Sequence, residues 1–162
     1  MIPRIEDVQR KFFDAMQAGF ANEAPTIELK EFAGSKMAVS ISGFWAVTDS
    51  WFTNQDSIYS SGFTLIAHRG QPIWTMSYQG WYEEKVLPFL KEALALNYRQ
   101  GIWYGGRGPA KFVGEDFLYR NAVREKDFKL FTGKETIHDL CSGALLGTHV
   151  YQGMLFADCV PR

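Results

Sequence analysis

An internal repeat is the feature of this sequence that most constrains its fold. Residues 62–81, GFTLIAHRGQPIWTMSYQGW, resemble residues 133–154, GKETIHDLCSGALLGTHVYQGM. The matched positions are Gly62, Ile66, Gly70, Ile73, Tyr78, Gln79 and Gly80 with Gly133, Ile137, Gly143, Leu146, Tyr151, Gln152 and Gly153. The second copy is longer in its turn, because Gly62 to Tyr78 spans 16 steps and Gly133 to Tyr151 spans 18. A self-similar segment of this length predicts two copies of one supersecondary unit.

Apolar residues recur at helical spacing in two segments, one ahead of each copy of the repeat. In residues 3–19 the apolar stripe consists of Ile5, Val8, Phe12 and Met16, and in residues 83–97 it consists of Val86, Leu87, Leu90 and Leu94. Pro88 has no backbone N–H to donate, so it must lie in the first turn of the second helix. The sequence therefore predicts two amphipathic helices, one in each half of the chain.

Runs rich in β-branched and aromatic residues follow each helix and predict strands. After the first helix these runs are residues 36–53, interrupted by Gly43, then 62–68 and 72–78, which the turn Arg69-Gly70-Gln71 joins as a hairpin. After the second helix they lie at about 115–123, 128–138 and 144–152. Loops are predicted where polar residues or glycines cluster, at 54–61 and 98–111, and an irregular tail is predicted at 153–162.

Each half of the chain thus consists of a helix followed by strands. We interpret this order as an α+β fold made of a duplicated α-β-β-β unit, with units at about 3–81 and 82–154 inside a single domain of residues 1–162. A mostly antiparallel sheet with the two main helices on one face would bury both apolar stripes. The alternative is that two unrelated hairpins share common turn residues by coincidence.

Composition and charge exclude several classes of protein. The net charge is −1 and no basic tract stands out, so direct nucleic-acid binding is not expected. No apolar run approaches the ~18 residues that a membrane span needs, and the N-terminal MIPRIEDVQRKF has charges where a signal peptide is apolar. Two cysteines, Cys141 and Cys159, do not make a disulfide framework. The composition therefore predicts a cytoplasmic protein.

The strands with the Tyr-Gln-Gly triplets contribute the main candidate binding residues. Strand alternation places Trp74, Met76 and Tyr78 on one face, and Gly147, His149 and Tyr151 on the equivalent face of the second copy. Gly147 either leaves a small cavity beside Trp74 and Tyr78 or makes room for a neighbouring large side chain. His149 is either an acid–base or donor group in a pocket, or a half-buried histidine bonded to a tyrosine or to the backbone.

The segment GIWYGGRGPAK at residues 101–111 contributes a second set of candidates. Its glycines free the backbone for close approach, and Arg107 is suited to hold an anion. One interpretation is a lid in which Trp103, Tyr104 and Arg107 close over a ligand. The other is a connector that crosses one edge of the sheet with Trp103 and Tyr104 packed on the core.

Metal binding and covalent catalysis have weak support. His138, Asp139, Cys141 and His149 are ligand types for zinc, but their spacing matches no recognised motif. Cys159 lies too close to the C-terminus for a preorganised nucleophile. We therefore expect neither a metal nor a cofactor.

Asp49 shares one strand face with Trp45, Val47 and Trp51 by alternation. If that face were buried, the pKa of Asp49 would be perturbed. We expect instead a strand near an edge of the sheet, with Asp49 solvated. If the face were left uncovered, Trp45 and Trp51 would form a partner surface suited to a homodimer.

Four short motifs between about Phe63 and Leu155 carry a resemblance. They are Trp-x-Met-x-Tyr-x-Gly at 74–80, VLPFLKEAL at 86–94, Gly-x-Glu-x-Ile at 133–137 and Tyr-x-Gly at 151–153. In these motifs the chain resembles an uncharacterised bacterial domain family, a domain of unknown function, whose members also occur fused behind helix-turn-helix regulators. The resemblance implies a fold of this class and supplies no catalytic residue.

The sequence as a whole favours a small-molecule-binding or sensory domain that catalyses nothing. The residues expected to line its pocket are Trp74, Tyr78, Trp103, Tyr104, Arg107, His149 and Tyr151. Two alternatives remain open. One is a hydrolase-like enzyme with His149 as acid and base, and the other is an interaction module that forms a homodimer through a sheet face.

Overall fold

The computed structural model describes residues 3–19 and 25–156, which form an α+β structure. Its helices are α1 (Ile5–Ala18) and α2 (Leu87–Gln100), and a 3₁₀ turn at Glu84–Val86 leads into α2. Its strands are β1 (Ser35–Ser42), β2 (Trp45–Thr53), β3 (Tyr59–His68), β4 (Gln71–Tyr82), β5 (Lys111–Val113), β6 (Phe117–Val123), β7 (Leu130–Asp139) and β8 (Leu145–Leu155).

The strands form one antiparallel sheet in the order β1-β2-β3-β4-β8-β7-β6-β5. Strands β1 to β4 form one meander, strands β5 to β8 form a second, and the two meanders join where β4 pairs with β8. At this junction Tyr78 lies opposite Tyr151 and Ser77 lies opposite Gln152. The two Tyr-Gln-Gly strands, far apart in the sequence, are therefore neighbours at the centre of the sheet.

Both helices cover the same face of the sheet. Phe12 of α1 and Leu94 of α2 belong to one core cluster with the inward side chains of the strands. Trp74 is fully buried there, with its ring 5.3 Å from that of Phe12 and stacked at 5.1 Å on that of Phe128. Much of the aromatic content thus serves packing. Within the described residues, neither helix is long and apolar enough to cross a membrane.

The helices cover the sheet face that we considered as a free partner surface. Val47 is buried in the core, and Trp45 and Trp51 are partly buried against it. The face of Trp45 and Trp51, suggested as an uncovered dimer surface, is therefore covered, because α1 packs on β2. The uncovered face of the sheet is the opposite one.

Several element boundaries differ from the sequence prediction, among them those of β4, which continues to Tyr82, and α2, which ends at Gln100, and three further differences concern β3, β8 and β5. β3 begins at Tyr59, inside the predicted polar loop, because Ser60 pairs with Gly80 of β4. β8 continues to Leu155, inside the predicted irregular tail, where it pairs with Trp74. The short β5 lies at the end of the predicted glycine-rich loop and pairs with β6. For β3 and β8 the pairing partner is distant in sequence, so local composition gave no sign of it.

A glycine–tyrosine pair occurs once in each meander. Gly62 lies opposite Tyr78, and Gly133 lies opposite Tyr151. A Cβ atom on Gly62 would be 2.6 Å from Tyr78 Oη, and one on Gly133 would be 2.2 Å from Tyr151 Oη. Each tyrosine ring thus lies over a glycine, and only a residue without a side chain fits beneath it.

We predict that Gly133→Ala lowers the free energy of unfolding by about 1–3 kcal/mol, because the new methyl group overpacks the ring of Tyr151. Tyr151 cannot easily move aside, since it is buried and its hydroxyl donates to Asn121 Oδ1 at 2.5 Å. Chemical denaturation measures the loss, with exposed Ser77→Ala as the control. In a Tyr151→Ala background the same change should cost almost nothing. An equal cost in both backgrounds would show that the ring is not the obstacle.

Candidate functional site

A cavity of about 470 Å³ lies between α2 and the inward face of the sheet, with residues of β2, β3, β4 and β8 in its wall. Its apolar wall includes Met16, Trp51, Met76, Leu90, Leu94 and Tyr98. Its polar residues include Asp49, Ser60, Thr64, Tyr82, Arg107 and His149. An apolar enclosure with a few convergent polar groups is the usual form of a small-molecule site.

The cavity has an exposed end and a buried end. Lys36, Thr53 and Pro88 border it at positions open to solvent. Asp49 and His149 lie at buried positions, with 7% and 4% of their surface exposed. A ligand that entered past the first group would meet the second after losing most of its water.

Asp49 is buried, which corrects the expectation that it is solvated. β2 is an inner strand between β1 and β3, and α1 covers the face on which Asp49 lies. Its Oδ1 accepts a hydrogen bond from Thr64 Oγ1 at 2.8 Å and from Tyr78 Oη at 3.0 Å. Burial raises the pKa of the Asp49 carboxyl, and these hydrogen bonds and Arg107 only partly oppose that shift.

His149 lies in the cavity wall beside the junction of the two meanders. Its Nε2 is 3.1 Å from Ser60 Oγ, and its ring centroid is 4.4 Å from that of Tyr82. Its Nδ1 is buried and has no hydrogen-bond partner among the described residues. Burial first, and then the positive charge of Arg107, lowers the pKa of His149 to about 4, so the ring is neutral at pH 7.

A buried ion pair closes the inner end of the site. Arg107 Nε and Nη2 donate to Glu135 Oε1 at 2.9 and 2.5 Å. Tyr82 donates to the same oxygen at 2.6 Å, and Tyr119 donates to Oε2 at 2.5 Å. Desolvation alone would raise the pKa of Glu135, but Arg107 and these hydrogen bonds hold it below its usual value. Desolvation would likewise lower the pKa of Arg107, but Glu135 raises it, so both groups stay charged.

The glycine-rich segment that contributes Arg107 is a fixed connector, which decides between the two interpretations of residues 101–111. Asn97 Nδ2 donates to the carbonyl of Arg107 at 2.6 Å, and Tyr98 Oη donates to that of Gly106 at 3.2 Å. The N–H of Gly108 donates to Tyr119 Oη at 3.0 Å. These buried bonds hold the segment on the core, which favours the connector interpretation over the lid.

The structure divides the predicted site residues into two groups. Tyr78, Arg107 and His149 line the cavity together. The other four, which lie elsewhere, are Trp74, Trp103, Tyr104 and Tyr151. Trp74 and Trp103 pack in the aromatic core, 6.2 Å apart. Tyr104 contacts Lys126, whose Nζ is 4.7 Å from its ring, and Tyr151 lies over Gly133.

The structure also shows the surroundings of Gly147 and of the candidate metal ligands. The space beside Gly147 is filled, because a Cβ atom there would be 2.2 Å from Tyr82 Cδ1. The glycine therefore makes room for a large neighbour. Among the described residues no group of three or more His, Cys, Asp or Glu could hold a metal ion. Cys141 is exposed and free, and Cys159 lies outside the described residues.

Sequence reasoning missed Glu135, Tyr82 and Ser60 as site residues. A signal for Glu135 was available, since it alternates with Gly133 and Ile137 and so faces the core. A glutamate at an inward strand position requires a partner. Ser60 was assigned to a loop, and no local pattern indicated that it would pair beside His149.

We predict that Arg107→Met and Glu135→Gln each cost about 3–5 kcal/mol of unfolding free energy, because each leaves part of a buried pair uncompensated. The double variant should cost about 1–3 kcal/mol less than the sum, since neither charge is then left alone. Denaturant unfolding of all three variants measures the coupling. Arg10→Ala, which removes an exposed bond to Asp7, is the control and should cost less than about 1 kcal/mol. Strictly additive losses would contradict the pairing.

We predict that His149 makes the protein less stable as the pH falls from 6.5 towards 4. The unfolded chain binds a proton on this residue near pH 6.5, whereas the folded chain resists it until about pH 4. Wild type should therefore lose roughly 2–3 kcal/mol more than His149→Asn between pH 7 and 4.5. Asp49→Asn should lose more stability than wild type over the same pH range. The reason is that the raised pKa of Asp49 favours protonation of the folded chain, and the variant lacks this contribution. Urea denaturation at both pH values gives the comparison, and parallel wild-type and His149→Asn curves would refute it.

Comparison with known proteins gives a family but no characterised relative. No curated protein and no solved structure matches the chain. The domain of unknown function DUF5680 matches residues 49–155. This segment runs from Asp49 to Leu155 and includes the Arg107–Glu135 pair and His149. The chain therefore belongs to the DUF5680 family.

Proposed function

We propose that this domain binds a small organic molecule in the cavity between α2 and the sheet, without catalysing a reaction on it. The observation that carries the proposal is the cavity itself, whose wall brings together the buried polar residues Asp49 and His149, and His149 Nδ1 has no partner among the described residues. Buried polar atoms in folded proteins nearly always have a partner. A ligand that hydrogen-bonds to Nδ1 would supply one.

The dimensions and rigidity of the cavity support this function. Its volume of about 470 Å³ lies within the range of ligand pockets in proteins. Its floor is fixed by the Arg107–Glu135 pair, and Tyr78 is held by Asp49. A preformed site loses little conformational entropy when a ligand binds.

A screen of the purified protein against a metabolite library by thermal shift tests this proposal. A ligand present at 100 times its Kd should raise Tm by about 5 °C or more. Leu87→Trp, which enlarges a side chain of the cavity wall, should reduce or abolish the shift. The matched control is Leu96→Trp, a change at a half-buried position of the same helix that is not part of the cavity wall. The proposal fails if no compound stabilises wild type, or if Leu87→Trp responds like the control.

A hydrolase-like activity is the second candidate, and the contact between Ser60 Oγ and His149 Nε2 favours it. A serine hydroxyl within hydrogen-bond distance of a histidine is the first requirement of catalysis by a serine nucleophile. Two observations weigh against it. A pKa of about 4 makes His149 a weak base at neutral pH, and no carboxylate orients its Nδ1. Labelling of wild type but not Ser60→Ala by a fluorophosphonate would favour this candidate over pure binding.

A homodimer is a third candidate, now through the helix-free face of the sheet. A shallow depression of about 710 Å³ lies there, with Phe52, Tyr59 and Val150 among its lining residues. These side chains are exposed and apolar, as at many protein contacts. Sedimentation of wild type and Val150→Lys over a range of concentrations would detect such a dimer.

We also propose that the two meanders arose by duplication of one unit. The support is a shared set of contacts at equivalent strand positions. Tyr78 donates to Asp49 of β2 while lying over Gly62, and Tyr151 donates to an asparagine of β6 while lying over Gly133. Coincidence between two hairpins would not be expected to repeat a contact that joins three strands.

A further inference from the structure

The cavity contains a buried carboxylate that lacks a counter-ion. Both hydrogen bonds that described residues give Asp49 go to Oδ1. Among charged groups of the described chain, Arg107 alone lowers the pKa of Asp49, and Arg107 is already bonded to Glu135. A buried charge without a counter-ion is costly, which is why burial raises the pKa of Asp49, and a positive partner would stabilise its charged form.

The opposite meander shows how a similar position is completed. Asn121 accepts from Tyr151 through Oδ1, as Asp49 accepts from Tyr78. The Nδ2 atom of Asn121 then donates to the carbonyl oxygens of Tyr104 at 3.1 Å and of Gly108 at 2.8 Å. The glycine-rich connector thus closes over Asn121. Asp49 has an acceptor, Oδ2, in place of that donor, and it borders an open cavity in place of a connector.

His149 adds a second acceptor in one of its tautomers. The ring is neutral at pH 7, so one nitrogen carries the proton and the other accepts. When Nε2 donates to Ser60 Oγ, the unpartnered Nδ1 is the acceptor. Two acceptors in one apolar enclosure suit a ligand with more than one N–H group.

Aromatic side chains line the same space. Tyr82, Tyr98 and Trp51 all belong to the cavity wall. The face of an aromatic ring attracts cations, and it does so more strongly where water is excluded. Aromatic walls suit a flat ligand, and a ring whose face is turned to the cavity would favour a cation.

We propose, building on the binding function above, that the cavity selects small planar organic cations with N–H donors. Asp49 is the counter-ion and hydrogen-bond acceptor, and His149 Nδ1 is the second acceptor. Amidines, guanidines and protonated amino-substituted heterocycles have this chemistry. Lys36 and Lys91 border the cavity at its outer part, at exposed and half-buried positions, where water and salt screen their charges.

Three probes of nearly equal shape separate charge from size: benzamidine, benzamide and benzoate, which are cationic, neutral and anionic at pH 7. NMR titration of the folded protein gives a Kd for each. We expect benzamidine to bind about tenfold more tightly than benzamide, and benzoate to bind most weakly. In Asp49→Asn, whose amide oxygen can still accept from Tyr78 and Thr64, the advantage of benzamidine should fall to about twofold or less. The control Asp56→Asn alters an exposed carboxylate and should keep the full advantage.

His149→Asn separates the two acceptors. It should weaken benzamidine and benzamide by similar factors and leave the preference for the cation intact. Tightest binding of benzoate, equal binding of all three probes, or an unchanged preference in Asp49→Asn would overturn the proposal. If one of these outcomes occurs while library compounds stabilise wild type but not Leu87→Trp, the binding function stands and the cavity binds ligands of another class. If no probe binds and the library also gives no shift, both this proposal and the binding function fail.

Discussion

The buried pair of Arg107 and Glu135 is the interaction on which the other parts of the site depend. It joins the connector after α2 to β7, and through the hydroxyls of Tyr82 and Tyr119 it also holds β4 and β6. Arg107 and the two tyrosines together hydrogen-bond both carboxylate oxygens of Glu135, and such added bonds are the condition under which a buried charge pair is tolerated. Because this network fixes the floor of the cavity, the residues above it can remain polar and incompletely paired without unfolding the sheet.

The same network sets the electrostatics of the cavity. Burial lowers the pKa of His149 most, Arg107 lowers it further, and Glu135 opposes that effect more weakly. The arginine also lies with its Cζ 5.2 Å from the centre of the Tyr78 ring, next to the tyrosine that donates to Asp49. Burial and Arg107 together keep His149 neutral, whereas Arg107 only partly offsets the effect of burial on the pKa of Asp49. The cavity consequently combines a neutral imidazole with an acidic group, and in the proposed binding function this pairing would discriminate between ligands by charge.

Periodicity predicted more of the fold than of the site. Helical spacing located both helices, and Pro88 lies in the first turn of α2 as expected. Strand alternation also grouped Asp49 correctly with Val47 and Trp51, but it could not show that α1 covers that face, so Asp49 was taken as solvated. Of the predicted pocket residues, Tyr78, Arg107 and His149 come together, because β4 and β8 are neighbours and the connector turns back beneath them. These are long-range arrangements, and no local pattern in the sequence encodes them.

The two meanders use the same contacts for different ends. In the second, the connector supplies carbonyl oxygens to Asn121, and Gly105 lets it approach Tyr151, so the chain completes its own polar position. In the first, a cavity lies between α2 and the sheet, and a carboxylate occupies the position equivalent to that amide. An aspartate in place of an asparagine changes a donor into an acceptor, and a cavity in place of a connector gives that acceptor access to a ligand. The second meander is thus completed by its own backbone, and under the proposed function a bound cation would complete the first.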